Sequence, residues 1–518
     1  MRRTAAWLAG AMVTTTAAAL APAPAAAEWL KASSRHFTIY ADVREAELRN
    51  LATRLETFDA GLRILHGQSG DDGAVRPVTV YVLDDVAAVE RLCRCPNVAG
   101  FYTPRADGAV IFTPRRGSGD GVTGLKAQTV LFHEYAHHFL LGGAHVAYPS
   151  WYSEGHAELV STAQVTSEFV QFGGAANHRA YGLTAEAPLP LAKLLAPPAR
   201  MSDTETEQLY GRGWLLTHYV SFNAERRAQF QRYAVAFASG TPPLKAAADA
   251  FGDLKQLDRE LDRYLRGRTI PGYRLAAANL PTPAISIRPL TPGERALVDH
   301  RIQSTRGVDD KTAAPLYARA KRAGAPADDA VAQGWLAEMA YDAGQDAEAE
   351  AAADRALAAD PRSIQALLYK ARVRLRRAAA AGATDPKIWS EARSWIVRAN
   401  RIDPDHAGAL ELFHDSFVMA GQQPNASAVK GLVYALAVAP YDPDLRWTVV
   451  PQHLLDGRTA EARRALMPLA YSPHAAPDNA GVKLLALLDA GQAGPAALAA
   501  LEAQQKAEAE KAGAKRKD

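Results

Sequence analysis

Residues 127–159 read AQTVLFHEYAHHFLLGGAHVAYPSWYSEGHAEL; His133, Glu134 and His137 form an H-E-x-x-H string, and Glu154 follows seventeen residues after His137. On a helix, residues four apart share a face, so His133 and His137 can both aim a ring nitrogen at one zinc ion roughly 2.0–2.1 Å away. Glu154, in a second apolar helix-like segment, supplies a third ligand and leaves a fourth position open, as in a catalytic rather than a closed structural zinc site. Glu134 lies beside that edge and is the base for a water whose pKa the ion lowers from about 15.7 toward 7. Glu158 follows Glu154 by one turn, which puts both carboxylates on one helix face. Glu154 then binds the metal, while Glu158 accepts the free N–H of His133 and fixes its tautomer. The competing reading is a pair of amphipathic helices with solvated Glu and His, which explains each residue singly but not the constellation.

HEYAH followed by WYSEGHAEL resembles the gluzincin branch of zinc metallopeptidases, and within it the peptidase MA-like bacterial proteins in which such a domain precedes tetratricopeptide repeats. The likeness covers roughly residues 28–275. It implies zinc ligands His133, His137 and Glu154, general base Glu134, and Glu158 behind His133. Family members often carry an aromatic or aliphatic residue inside W-x-x-E-G-x-A-E where this chain has His156, a departure that touches no ligand. The aminopeptidases of the clan use a G-x-M-E-N strand to grip a free amine, and that string is missing here, so the resemblance points to an endopeptidase. Negative charge developing on a hydrolysed amide needs a further O–H or N–H donor. Related gluzincins place a tyrosine after the glutamate helix, which makes Tyr210 the expected donor, with Arg212, Tyr152 and His218 as others in the region. His138, His145 and His178 read as surface or structural histidines, because three protein ligands already complete a catalytic set.

A chain of 518 residues is long enough for two or three cores. Residues 1–27 read as a secretory signal: Arg2 and Arg3 start it, an apolar run from Ala5 to about Leu20 follows, and Ala25, Ala26 and Ala27 offer a cleavage site. The expected mature chain starts near Glu28 and is periplasmic or secreted. An uncleaved anchor is the alternative, but the run is short and broken by three threonines. No later segment reaches the ~18 apolar residues of a membrane span. Loss of Arg2 and Arg3 takes the formal charge from +3 to +1, which gives no electrostatic case for binding nucleic acid or membranes. Cys93 and Cys95 are too few for a disulfide framework; a labile disulfide and two thiols both stay open.

Along the chain, HFTIYAD (36–42) and PVTVYVLDD (77–85) read as strands, Glu45 to Leu65 as a helix, and 99–114 as a hairpin turning at Ala106-Asp107-Gly108. Residues 99–104 or 109–114 are candidates for an edge strand that pairs with an extended substrate. Pro361, Pro404, Pro440 and Pro473 each close an Ala-rich helix at separations of 43, 36 and 33, near the 34-residue period of tetratricopeptide repeats. Leu336, Gly344, Ala349 and Ala356, then Ala392, Ile396 and Ala399, then Ala428, Leu432 and Ala435, fall where that repeat packs.

The predicted fold is α+β: a zincin-like domain at 28–275, a Pro-rich linker at 276–292, all-α repeats at 293–475, and a C-terminal helix with a charged tail at 476–518. The expected function is an exported Zn2+-dependent metallopeptidase with a peptide or protein substrate and a protein partner on the repeats. The alternative is a non-catalytic envelope scaffold or assembly protein whose peptidase-like domain only binds. A fragment spanning 28–290 is expected to fold and hold zinc without the repeats.

Overall fold

The computed structural model describes residues 28–514, apart from 69–75, 120, 143–145, 185–186, 199, 473–474 and 477. The expected signal segment, His145 and Pro473 lie outside the described residues. The N-terminal half contains β1 (Glu28–Ser33), β2 (Phe37–Val43), α1 (Glu45–Leu65), β3 (Val78–Asp85), α2 (Val86–Cys93), β4 (Phe101–Thr103), β5 (Val110–Arg116), α3 (Ala127–Gly142) and α4 (Ser150–Ser161). There follow β6 (Gln164–Val165), β7 (Phe169–Phe172), α5 (Ala180–Thr184), α6 (Leu191–Leu195), α7 (Asp203–Phe222), α8 (Ala224–Ala238), α9 (Pro243–Phe251), α10 (Leu254–Leu265), β8 (Tyr273–Ala276) and β9 (Ser286–Pro289).

A six-stranded sheet runs in the order β4-β5-β3-β2-β1-β9. The central pairs β2–β3 and β3–β5 are parallel, and the flanking pairs are antiparallel. Alternation along each strand divides its side chains between two cores. Phe37, Ile39 and Ala41 of β2, Val78 and Val80 of β3, and Ile111 of β5 face a core shared with α1 and α3. Tyr40, Tyr81, Val110 and Phe112, the residues in between, face a second core. That second core is closed by Leu297, Val298 and Ile302, and by Trp335 and Leu336, from helices far along the chain.

Those helices are α11 (Pro292–Arg306), α12 (Ala313–Ala323), α13 (Ala330–Asp342), α14 (Asp346–Ala359), α15 (Ile364–Ala380), α16 (Pro386–Ile402), α17 (Ala407–Met419), α18 (Ala426–Val438), α19 (Pro443–Leu455), α20 (Thr459–Ala470), α21 (Ala480–Asp489) and α22 (Gly494–Ala514). Consecutive helices pack as pairs joined by short turns, so the array resembles tetratricopeptide repeats. Small residues set the close approach: Ala349, Ala356, Ala399, Ala428 and Ala435 are wholly buried. Gly344 takes φ +72° between α13 and α14, a left-handed turn that glycine adopts without steric cost.

Two expected boundaries differ. The 276–292 segment is not a plain linker, because β8 pairs with β7 and β9 forms the outer strand beside β1. Proline hides such a strand from sequence reading, yet an edge strand tolerates it. Thr291 and Glu294 then form the capping box that starts α11, and buried Glu294 also binds Arg288 of β9 at 2.7 Å, tying strand to helix. Beyond residue 476 the chain forms two helices where one is expected: α21 packs on α20 and α22, and α22 on α19, so the array continues.

The array also touches the N-terminal half elsewhere. Arg76 binds Asp403 at 2.6 Å, Arg372 binds Asp107 at 3.2 Å, and the backbone N–H of Ala106 donates to Asp442. Tyr441 lies tilted against His138 of α3 with centroids 4.9 Å apart, and Tyr471 meets Phe237 of α8 at 5.1 Å.

Candidate metal centre

Helix α3 carries His133, Glu134 and His137 one turn apart, and α4 packs against it. Helix α4 in turn lies backbone to backbone on α7. A Cβ on Gly155 would stand 2.3 Å from the Gly213 carbonyl oxygen, and one on Gly213 would stand 2.9 Å from that of Trp151. Glycine at both positions therefore lets α7 bring Tyr210 toward the histidines; the Tyr210 and His133 ring centroids are 6.3 Å apart.

His133 Nε2 and His137 Nε2 are 3.1 Å apart, and Glu154 Oε2 stands 3.5 Å from the first and 3.6 Å from the second. Tetrahedral ligands at 2.0–2.1 Å from zinc are about 3.3–3.4 Å from one another. The three edges bracket that value, and one point lies about 2.0–2.1 Å from all three atoms. Two nitrogens and a carboxylate oxygen are also the donor types zinc takes. The residues fit the ion.

The electrostatics point the same way. Burial works against a charge on His133, but Glu154 and Glu158 outweigh it and push its pKa up to about 10. Burial likewise opposes ionised Glu154, yet His137 and His133 hold its carboxyl well below the usual range. The carboxylates thus favour positive charge at His133, and the histidines favour negative charge at Glu154.

Glu158 is fully buried, with Oε1 3.4 Å from His133 Nδ1. It also binds His178 Nε2 at 2.7 Å and Arg179 Nε at 2.8 Å. Against the desolvation that burial brings, Arg179 leads the interactions that keep Glu158 ionised. Sequence reading sets His178 aside as structural and passes over Arg179 altogether. The guanidinium of Arg179 lies 4.5 Å from the centre of the Tyr210 ring, so one cation holds both Glu158 and Tyr210. The Glu154 charge, together with burial, raises the Tyr210 hydroxyl well above its usual range, so it stays a neutral O–H donor.

The other expected donors lie elsewhere. Arg212 is buried against Asp258 and Asp262 of α10, His218 bonds Tyr264 and the Gly173 carbonyl, and Tyr152 packs on Phe230. His156 pairs with His66 at 2.9 Å, joining α4 to the end of α1. His138 accepts or donates with Tyr102 of β4 at 3.0 Å. A second group of ligand-type atoms, His36, Glu56 and Asp59, is engaged by the chain's own donors. Asp59 accepts from Tyr135 at 2.5 Å, which fixes α3 on α1, and from Arg63 of its own helix at 2.7 Å.

Strand β4 is the outer strand next to α3, whereas β5 is paired on both sides. Only 99–104, of the two candidate segments, has an edge to offer. Gly100 leads into it, and a Cβ there would lie 2.4 Å from Val130 Cγ1 and 3.2 Å from Glu134 Cγ, so glycine lets the strand run close over Glu134. Cys93 and Cys95 sit at the end of α2 with Cα atoms 5.2 Å apart, within disulfide range.

No protein-family model matches the chain, and no curated protein matches it. Among solved structures, the crystal structure of a thermophilic TPR protein in Thermus thermophilus aligns at 22% identity with a TM-score of 0.30, covering 35% of this chain and 92% of that chain. The repeat architecture rests on the helix pairs themselves, not on this alignment. No described helix is long and apolar enough to cross a membrane.

Proposed function

We propose that the chain is a zinc-dependent metallopeptidase with a gluzincin-like catalytic domain, exported by its N-terminal segment, whose repeats bind a protein partner. The triangle of His133, His137 and Glu154 atoms carries this reading. A bound zinc would supply Lewis-acid polarisation of the substrate carbonyl and acidify water. Glu134 takes the proton of the attacking water and passes it to the leaving nitrogen. Tyr210, held neutral and steadied by Arg179, donates its O–H to the developing oxyanion. Glu158 keeps His133 in one tautomer and orientation. The free edge of β4 offers backbone hydrogen bonds that align an extended peptide over Glu134.

The test is metal content together with cleavage of a mixed-peptide library, comparing wild type with Glu134→Gln. Stoichiometric zinc with cleavage lost in the variant supports the peptidase. Zinc without any cleavage in the wild type moves the reading to a scaffold that binds through its repeats, and absence of zinc refutes both.

A further inference from the structure

A groove of about 640 Å³ opens between α2 and the first helices of the array, α11 and α12. Its floor is apolar: Leu83, Leu92, Ile302, Val308 and Leu316 line it, with Ile302 and Leu316 buried. Its rim is cationic: Arg91, Arg94, Arg306, Lys311 and Arg319 face a single lining carboxylate, Asp299.

None of these five cations makes an ion pair with a carboxylate among the described residues. Arg306 is tethered to the Cys93 carbonyl at 2.7 Å, and Arg319 contacts Gln303 at 3.0 Å. The nearest carboxylates outside the lining offset this charge only in part: Asp85 feels Arg91 and Asp309 feels Arg94, without a direct ion pair. Asp85 accepts the Ala88 N–H at 2.9 Å and lies 3.5 Å from Arg116, while Asp309 accepts the Thr312 and Lys311 N–H groups at 2.9 and 3.1 Å. Arg94 takes φ +62° at the end of α2, a left-handed position that usually falls to glycine or asparagine. An arginine held in this conformation, on the rim of a groove whose five cations outnumber its one lining carboxylate, is the kind of outlier from which a binding role is inferred.

We propose that this groove binds an anionic amphiphile, its carboxylate or phosphate head among the rim cations and its apolar chain along the floor. Guanidinium groups suit both heads through charge-assisted, forked hydrogen bonds. The floor argues against a bare anion. The volume falls in the range of about 300–1,000 Å³ typical of small-molecule sites, and a protein partner would need a face of roughly 800 Å². The groove shares no residue with the metal centre, so its test leaves the peptidase reading untouched.

The experiment titrates the chain from residue 28 onward with dodecyl phosphate and with dodecanoate below their micellar concentrations, using calorimetry. Inorganic phosphate, dodecyl maltoside and an acidic hexapeptide of glutamate serve as comparison ligands. The expected result is saturable binding of at least one anionic chain, at least about tenfold tighter than phosphate or maltoside, and weaker at high salt. Preference for dodecyl phosphate assigns a lipid-type phosphate head, and preference for dodecanoate a free carboxylate. Exchanging two exposed rim residues, Arg91→Glu with Arg319→Glu, should weaken binding at least about tenfold while the far-UV spectrum stays unchanged. The wild-type ligand comparison decides even if that variant misfolds. Maltoside binding as tightly as the anions, glutamate hexapeptide binding in their place, no saturation below millimolar, or a folded variant with undiminished affinity each overturns the proposal.

Discussion

Removing the helical array should unfold the domain that carries the candidate metal centre. In a fragment ending at residue 290, the sheet face made by Tyr40, Tyr81, Val110 and Phe112 loses its cover; these residues are now 6, 2, 4 and 0% exposed. Exposing one such side chain fully costs about 1.5–3 kcal/mol, so the four together cost about 6–12 kcal/mol. Part of that survives, because Tyr81 stacks on Phe112 at 5.6 Å and Phe101 on Phe112 at 4.6 Å without help from the array. Taking about half leaves a loss of roughly 3–6 kcal/mol, against the 5–15 kcal/mol that holds a typical domain. The partly exposed ion pairs through Asp403 and Asp107 add about 0–1 kcal/mol each, and the buried hydrogen bond from the Ala106 N–H to Asp442 adds about 1.5–3 kcal/mol to the loss. This reverses the sequence-based expectation for the 28–290 fragment. Urea denaturation, a hydrophobic dye and size-exclusion chromatography should find the fragment aggregated, or unfolding at far lower urea than the full chain. Replacing Tyr40 and Tyr81 by threonine should improve its solubility without restoring full stability. A monomeric fragment that melts cooperatively within a few degrees of the full chain would refute the reasoning.

Four further outcomes are expected. His133→Ala or Glu154→Ala should lower zinc occupancy measured by atomic absorption, whereas Glu134→Gln should keep the metal and lose hydrolysis; the opposite pattern would dismiss the assigned roles. Glu158→Ala should cost about 10–100-fold in metal affinity or activity, and Arg179→Ala should act through the same carboxylate, so the double variant should be less than additive in zinc titrations. Gly155→Ala must push α4 from α7, and a thermal melt should show about 1–3 kcal/mol of destabilisation with reduced zinc content. Glu411 gives a pH signature: burial, then Asp415 and Asp442, push its carboxyl from 4.5 to about 7. A folded pKa above the unfolded one means stability present below about 4.5 and lost as pH rises through about 7. Glu411→Gln should therefore stabilise the chain at pH 8 by up to about 2–3 kcal/mol and change little at pH 4, as read from urea midpoints.

Local signals carry much of this structure into the sequence. The i, i+4 spacing of His133 and His137 and the Ala106-Asp107-Gly108 turn each report chemistry confined to a few residues, and helix and hairpin each form where expected. Partners distant in sequence stay hidden. HFTIYAD and PVTVYVLDD read as strands, the first by its alternation of apolar and polar residues, which marks one buried face, whereas the structure buries both. What covers the second face lies beyond residue 290 and cannot be named from either string. Arg179 sits in a short turn without periodicity, so nothing local marks it as the partner of Glu158. The four-residue strand β9 is masked by the prolines around it.

The loop after α18 seats Tyr441 and Asp442 beside α3 and the β4–β5 turn, and Tyr471, at the end of α20, rests on Phe237 of α8. One continuous strut thus spans the strand side and the helix side of the candidate metal centre. Because the same stretch of chain grips both sides, a load placed on the array reaches α3 and α8 together rather than one at a time.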